Sequence, residues 1–203
     1  MTEGIVISLI ALMGTIITSI GTLYVKNYLD TVKERNKNSF STVVPLVHEI
    51  YSILNDVMSK TKAFRVVIMK TENGGGRPQI GCELKSSVVY EVFDSGHKPI
   101  KLDWQKQVID EQYSSMLSEL ILSSERCIRV KTADMPDYSM LKIAYQATGV
   151  VQATMYELAE RGKDYIYLSV IYGEETELTA EDIYSKRNAV NRLRSIFKQY
   201  DGV

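Results

Sequence analysis

The chain has few of the residues that usually carry catalysis or bind metal. Its 203 residues include two histidines, two cysteines and one tryptophan. His48 sits beside Glu49, and His97 lies in the turn Ser95-Gly96-His97-Lys98-Pro99. Neither has metal-ligand spacing to a cysteine, an aspartate or the other histidine. No G-x-S-x-G, P-loop or H-E-x-x-H occurs. Gly74-Gly75-Gly76 lacks the Lys-Ser/Thr that completes a phosphate loop, so it reads as a hairpin loop. Glu174, Glu175 and Glu177 lack calcium-loop spacing and read as a solvated turn. We therefore expect no enzyme, no metal and no cofactor. A net charge of −1 gives no nucleic-acid signal. Cys82 and Cys127 form no cluster and read as free thiols in a cytoplasmic domain. A disulfide enters only if the domain lies outside the cytoplasm.

Charge is also missing from residues 4–24, GIVISLIALMGTIITSIGTLY. About 20 apolar residues suffice to cross a bilayer as a helix. A cleaved signal peptide would want a basic start and a small-x-small cleavage site, and neither is present. The run thus reads as a single transmembrane anchor in a cell (inner) membrane. Lys26, Lys33, Arg35 and Lys37 follow it and no Lys or Arg precedes it, which predicts the N-terminus outside and the C-terminal domain in the cytoplasm. Ser8, Ala11, Thr15, Thr18 and Thr22, with Gly14 and Gly21 beside them, recur at helical spacing. Such a face lets two helices pack closely and would make a homodimer or higher homo-oligomer. The other reading is that Gly, Ser and Thr are simply common in membrane helices.

Residues 25–39 read as a polar helical stalk, and residues 40–203 as one domain. Phe40 to Thr61 carries an apolar stripe at helical spacing. Strands are expected at Ala63–Met69, Ser87–Phe93, Arg126–Lys131, Val150–Glu157 and Asp164–Tyr172. Between the second and third lies a polar insertion with a helix near Gln112 to Leu122, and Tyr138 to Ala147 forms a short helix. Thr179 and Asp182 start a closing helix as cap and near capping box. Its Lys186, Arg187, Arg192, Arg194 and Lys198 read as a solvated face, or as a basic face toward anionic lipid. The order predicts an α+β domain with a five-stranded antiparallel sheet flanked by helices.

The stretch VVQATMYELAERGKDYIYLSVIYGEETELTAEDIYSKRNAVNRLRSIF resembles the end of a GAF domain: two antiparallel strands over Val150–Tyr172, an acidic turn, then a helix start at Thr179, Glu181 and Asp182. The resemblance implies a sensory or dimerising module with a ligand pocket between the sheet and the insertion. The N-K-x-n-F-x-D-E motif of cyclic-nucleotide-binding members is absent, and Cys127 lacks the neighbouring histidine of bilin-binding ones. A weaker likeness, in overall plan, is to T-even phage holins. It implies anchors that assemble into a membrane lesion, with the domain regulating assembly.

Alternation on the last two strands groups Gln152, Thr154 and Tyr156 with Tyr165, Tyr167 and Ser169 on a polar-aromatic face. Val151, Ala153, Met155 and Ile166, Leu168, Val170 are then left to meet the terminal helices. With Trp104 from the insertion, Arg129 from the third strand and Tyr145 from the short helix, Gln152, Thr154, Tyr165 and Tyr167 form the expected ligand site. Tyrosines with one arginine suit a small polar or anionic ligand. The alternative is a covered sheet whose tyrosine hydroxyls are satisfied locally. With no output domain after it in this sequence, the module would act through a protein partner or its own assembly.

Overall fold

A computed structural model describes residues 15, 18–31, 39–73, 79–177 and 179–199. The chain divides into two units, one up to Leu46 and one from Val47 onward.

In the first unit, residues 18–31 form helix α1. Its hydroxyls turn back on its own backbone: Ser19 Oγ donates to the Thr15 carbonyl at 2.8 Å and Thr22 Oγ1 to the Thr18 carbonyl at 2.7 Å. Ile20, Leu23, Tyr24, Val25, Tyr28 and Leu29 are exposed. Among the described residues no helix is long and apolar enough to cross a membrane. Most of the expected anchor, including Ser8, Ala11 and Gly14, lies outside the described residues, as do residues 32–38 of the stalk and the Gly74–Gly76 loop. Helix α2, Phe40–Lys60, follows.

The second unit is a six-stranded antiparallel sheet in the order β3-β2-β1-β6-β5-β4. Strands β1 Arg65–Glu72, β2 Lys85–Phe93, β4 Cys127–Lys131, β5 Gln152–Arg161 and β6 Asp164–Tyr172 answer to the five expected ones. The sixth is β3, Gln107–Val108, which pairs with Ser86 and Lys85. Two residues are too few to show any alternation, so sequence pattern cannot reveal it.

On one face α2 buries Ile50, Ile53, Leu54 and Val57 and sets Tyr51 edge-on to Tyr90 of β2. Helix α5, Ala180–Gln199, lies against β5 on this side, burying Val190 and Leu193. Its start is a reciprocal capping box: the Asp182 amide donates to Thr179 Oγ1 at 3.1 Å, and the Thr179 amide to Asp182 Oδ2 at 3.0 Å. The other face is covered by the insertion with α3, Glu111–Leu122, and by α4, Met140–Ala147. There Val67, Met69, Ala153, Met155 and Tyr167 of the sheet join Leu117, Leu120, Leu141 and Tyr145 of the helices in one buried cluster.

The expected grouping of side chains on β5 and β6 is corrected by the pairing. The hairpin turns at Gly162, whose φ of +50° suits glycine, with Arg161 opposite Asp164. The register then shifts between Glu157 and Ala159, leaving Leu158 as an extra residue. Beyond this bulge Gln152, Thr154 and Tyr156 pair with Tyr172, Val170 and Leu168, while Met155 and Ala153 pair with Ser169 and Ile171. A one-residue slip exchanges the faces. Gln152 and Thr154 therefore lie on the α5 face, and Tyr167 and Ser169 on the insertion face. Likewise Ala153 and Met155 do not meet the terminal helices.

Candidate functional site

The insertion face encloses a small cavity of about 30 Å³, room for one or two waters. Its walls come from β1, β6, the segment before β3, α3 and α4. Arg65, the first residue of β1, is 1% exposed and Glu91 of β2 is 9% exposed. Arg65 Nε lies 3.1 Å from Glu91 Oε1, and Arg65 Nη2 donates to the Lys98 carbonyl at 2.6 Å. Glu91 also accepts from the Ile100 amide at 2.9 Å and the Lys101 amide at 2.8 Å. This buried pair pins the start of the insertion to the sheet.

The pinned segment carries the roof. The Trp104 amide donates to the Ile100 carbonyl at 2.8 Å, and the Trp104 carbonyl accepts from the Val88 amide of β2 at 3.0 Å. Trp104 thereby lines the cavity together with Arg65, Ser169 and Tyr167. Asp110 fixes the helices behind it: one carboxylate oxygen caps α3 at the Tyr113 amide (2.8 Å) and the other accepts from the Met140 amide that opens α4 (3.0 Å). Ser86, Tyr113 and Tyr167 form a buried chain of hydroxyls, with Ser86 Oγ 2.7 Å from Tyr113 Oη and Tyr113 Oη bonded to Tyr167 Oη.

Besides Arg65 Nε, which lies in the ion pair with Glu91, three buried polar atoms of residues lining the cavity have no hydrogen-bond partner: Arg65 Nη1, Trp104 Nε1 and Ser169 Oγ. Burial pulls the Arg65 guanidinium below its usual range, with Glu91 and Asp94 opposing. Burial pushes the Tyr113, Tyr145 and Tyr167 phenols up, so they stay neutral at ordinary pH. Among the described residues the wall contains no histidine, cysteine or carboxylate. It can bind by charge and hydrogen bond.

Of the expected site residues, Trp104, Tyr145 and Tyr167 line the cavity, and Tyr165 packs beside its cluster, half-buried, with its ring tilted on Tyr167. Arg129, Gln152 and Thr154 do not. Arg129 pairs with Thr154, and Lys131 with Gln152, on the α5 face. Gln152 there donates to the Thr176 carbonyl at 3.3 Å. The arginine of the cavity is Arg65, which sequence reasoning passed over. Its signal was a charge at the head of an apolar run, Arg65-Val66-Val67-Ile68-Met69, answered by Glu91 within Val88-Val89-Tyr90-Glu91-Val92. A charge in a strand buried on both faces needs a partner.

No protein-family model and no curated protein matches the chain. Solved structures do. The chain is similar to the GAF domain of a two-component sensor histidine kinase from Bacillus halodurans, at 12% identity and TM-score 0.52, covering 80% of this chain and 96% of that one. It is similar to GAF3 from Slr1393 of Synechocystis sp. PCC6803 in its photoproduct state, at 12% identity and TM-score 0.55, over 76% and 94%. A far-red cyanobacteriochrome photoreceptor matches at 13% identity and TM-score 0.55, over 88% and 97%. The chain has a GAF-like fold. At these identities the likeness is one of architecture. The cavity of this GAF-like domain is tens of Å³, where small-molecule sites run to several hundred.

Proposed function

We propose that the chain is a membrane-anchored, non-catalytic sensory module whose GAF-like domain binds a small polar or anionic ligand under Trp104. The observation that carries this reading is the set of three unpartnered polar atoms, Arg65 Nη1, Trp104 Nε1 and Ser169 Oγ, around one cavity. Each costs about 1–3 kcal/mol while unpaired, and a ligand with acceptor oxygens would recover that. The cavity is small, so binding entails an outward shift of the segment that carries Ile100 and Trp104. In this reading residues 4–24 hold the module on the bilayer as a parallel homodimer, with the domain in the cytoplasm and its output a protein partner. The exposed apolar side chains of α1 support the bilayer part.

Trp104 is the sole tryptophan, so its emission reports on the cavity without a label. The full chain, in detergent, is titrated with a pool of small organic acids and phosphates. A shift in emission that Arg65→Met abolishes is the expected result. Unchanged emission across the pool would remove the sensor reading.

A further inference from the structure

The opposite side of the sheet holds a second cleft, of about 490 Å³, between β4–β5 and α5. That is within the range of small-molecule sites. Arg129, Thr154, Arg187, Asn191 and Arg194 line it, with Glu125 the sole carboxylate on its wall. Arg129 and Arg187 are exposed at its mouth. Its floor is built from buried groups that lack partners. Thr154 is 2% exposed and its Oγ1 is unpaired. Arg194 donates Nε to the Glu157 carbonyl at 2.9 Å, yet its Nη2 is buried and unpaired.

Behind them stands Lys186, 0% exposed, its Nζ without a hydrogen-bond partner and 5.0 Å from the centre of the Tyr172 ring. This corrects the solvated-face reading of α5: its first lysine is in the core. Asp182, one turn earlier, is held by Thr179 at the helix start. Arg129 and Cys127, both on the cleft wall, are near enough for their charges to act on Lys186. A buried, unpaired ammonium is costly. The charge of Arg129 nearby adds to that cost, and Asp182 offsets part of it.

We propose that this cleft is a binding site for an oxyanion of the phosphate type carried by a small molecule, with Arg194 and Thr154 as buried donors and Arg129 and Arg187 closing over it. Arginine forks match tetrahedral oxyanions two bonds at a time. An anion there would pair the two stranded donors on the wall, Thr154 Oγ1 and Arg194 Nη2. The site is separate from the cavity under Trp104, and its test does not depend on that reading.

The full chain is melted in detergent with 10-fold steps of pyrophosphate against potassium chloride of equal ionic strength, and in nanodiscs of phosphatidylcholine with or without phosphatidic acid. The expected result is a rise in Tm of several degrees with pyrophosphate, with phosphatidic acid, or with both. The first identifies a soluble source of the group and the second a lipid headgroup. Arg129→Gln and Arg187→Gln, both at exposed positions that leave the core intact, should raise the half-saturating concentration at least 10-fold. Trp104→Phe should leave it unchanged. No rise with either probe, or an equal rise in Arg129→Gln and Arg187→Gln, overturns the proposal.

Discussion

Arg65 Nε lies 3.1 Å from Glu91 Oε1, with both side chains all but removed from solvent. The pair crosses from β1 to β2 diagonally, since Glu91 stands opposite Val67 and Arg65 opposite Phe93. Breaking a buried pair from one side leaves an uncompensated charge, at about 3–5 kcal/mol. The two sides are unequal. Without Arg65, the Glu91 carboxylate keeps the Ile100 and Lys101 amides. Without a charged Glu91, Arg65 keeps only the Lys98 carbonyl. Glu91→Gln should therefore lower stability in urea by about 3–5 kcal/mol, and Arg65→Met by less. Equal losses, or a Glu91→Gln protein as stable as wild type, would count against this account.

The hydroxyl chain Ser86–Tyr113–Tyr167 makes a second, ordered prediction. Tyr113 is the middle member, so Tyr113→Phe removes two buried hydrogen bonds, to Ser86 and to Tyr167. Tyr167→Phe leaves Tyr113 with Ser86. Stranded buried hydroxyls cost about 1–3 kcal/mol each, and a single lost bond about 1 kcal/mol. Denaturation should rank Tyr113→Phe below Tyr167→Phe, and Tyr167→Phe slightly below wild type. The reverse order would mean that the hydroxyls are not coupled as described.

Most of the fold was legible because it is written in periodicity. The stripe of α2, the five longer strands and the capping box of Thr179 and Asp182 all announce themselves in short windows of sequence. The candidate site was half legible. Tyr167, Tyr145 and Trp104 do come together at one cavity, because strand, helix and insertion order decides which face they approach. Arg129, Gln152 and Thr154 were placed on the wrong face by one residue. Without the extra Leu158, the two-residue turn at Gly162 would carry even-numbered residues of β5 opposite odd-numbered residues of β6, and the polar-aromatic grouping would hold. A bulge has no composition of its own, so alternation cannot place it. Arg65 was hidden for a different reason: a long-range ion pair needs two strands paired in register before either charge makes sense.

The anchor gives a prediction about location. Deleting residues 1–25 should move the protein from the membrane pellet to the supernatant, because those residues hold its longest apolar run. The remaining chain should still melt cooperatively, since its core is built from residues after Val47. A reporter fused after Val203 should be active in its cytoplasmic form, as the lysines and arginine after residue 25 require. Equal amounts of full chain and deletion in the supernatant would remove the anchor.

Lys186 gives the most direct test of stability set against function. Burial pulls its ammonium down to about 8 from 10.5. The groups facing it are Asp182 on its own helix, Arg129 and Cys127 on β4, and the Tyr172 ring on β6. An unfolded lysine holds its proton to about pH 10.4. Between the two values the unfolded chain binds more protons than the native one, so stability rises with pH in that window. Below pH 8 the lysine is charged in both states and the native protein carries the whole penalty of burying it. Lys186→Met, similar in length and apolar, should therefore be more stable than wild type at pH 7, by about 2–4 kcal/mol. The gap should narrow steadily from pH 8 to pH 10.5, because wild type gains what the variant already has. Melts in phosphate-free buffer across that range read it directly. A variant less stable than wild type at pH 7 would show that Lys186 is part of what holds α5 to the sheet.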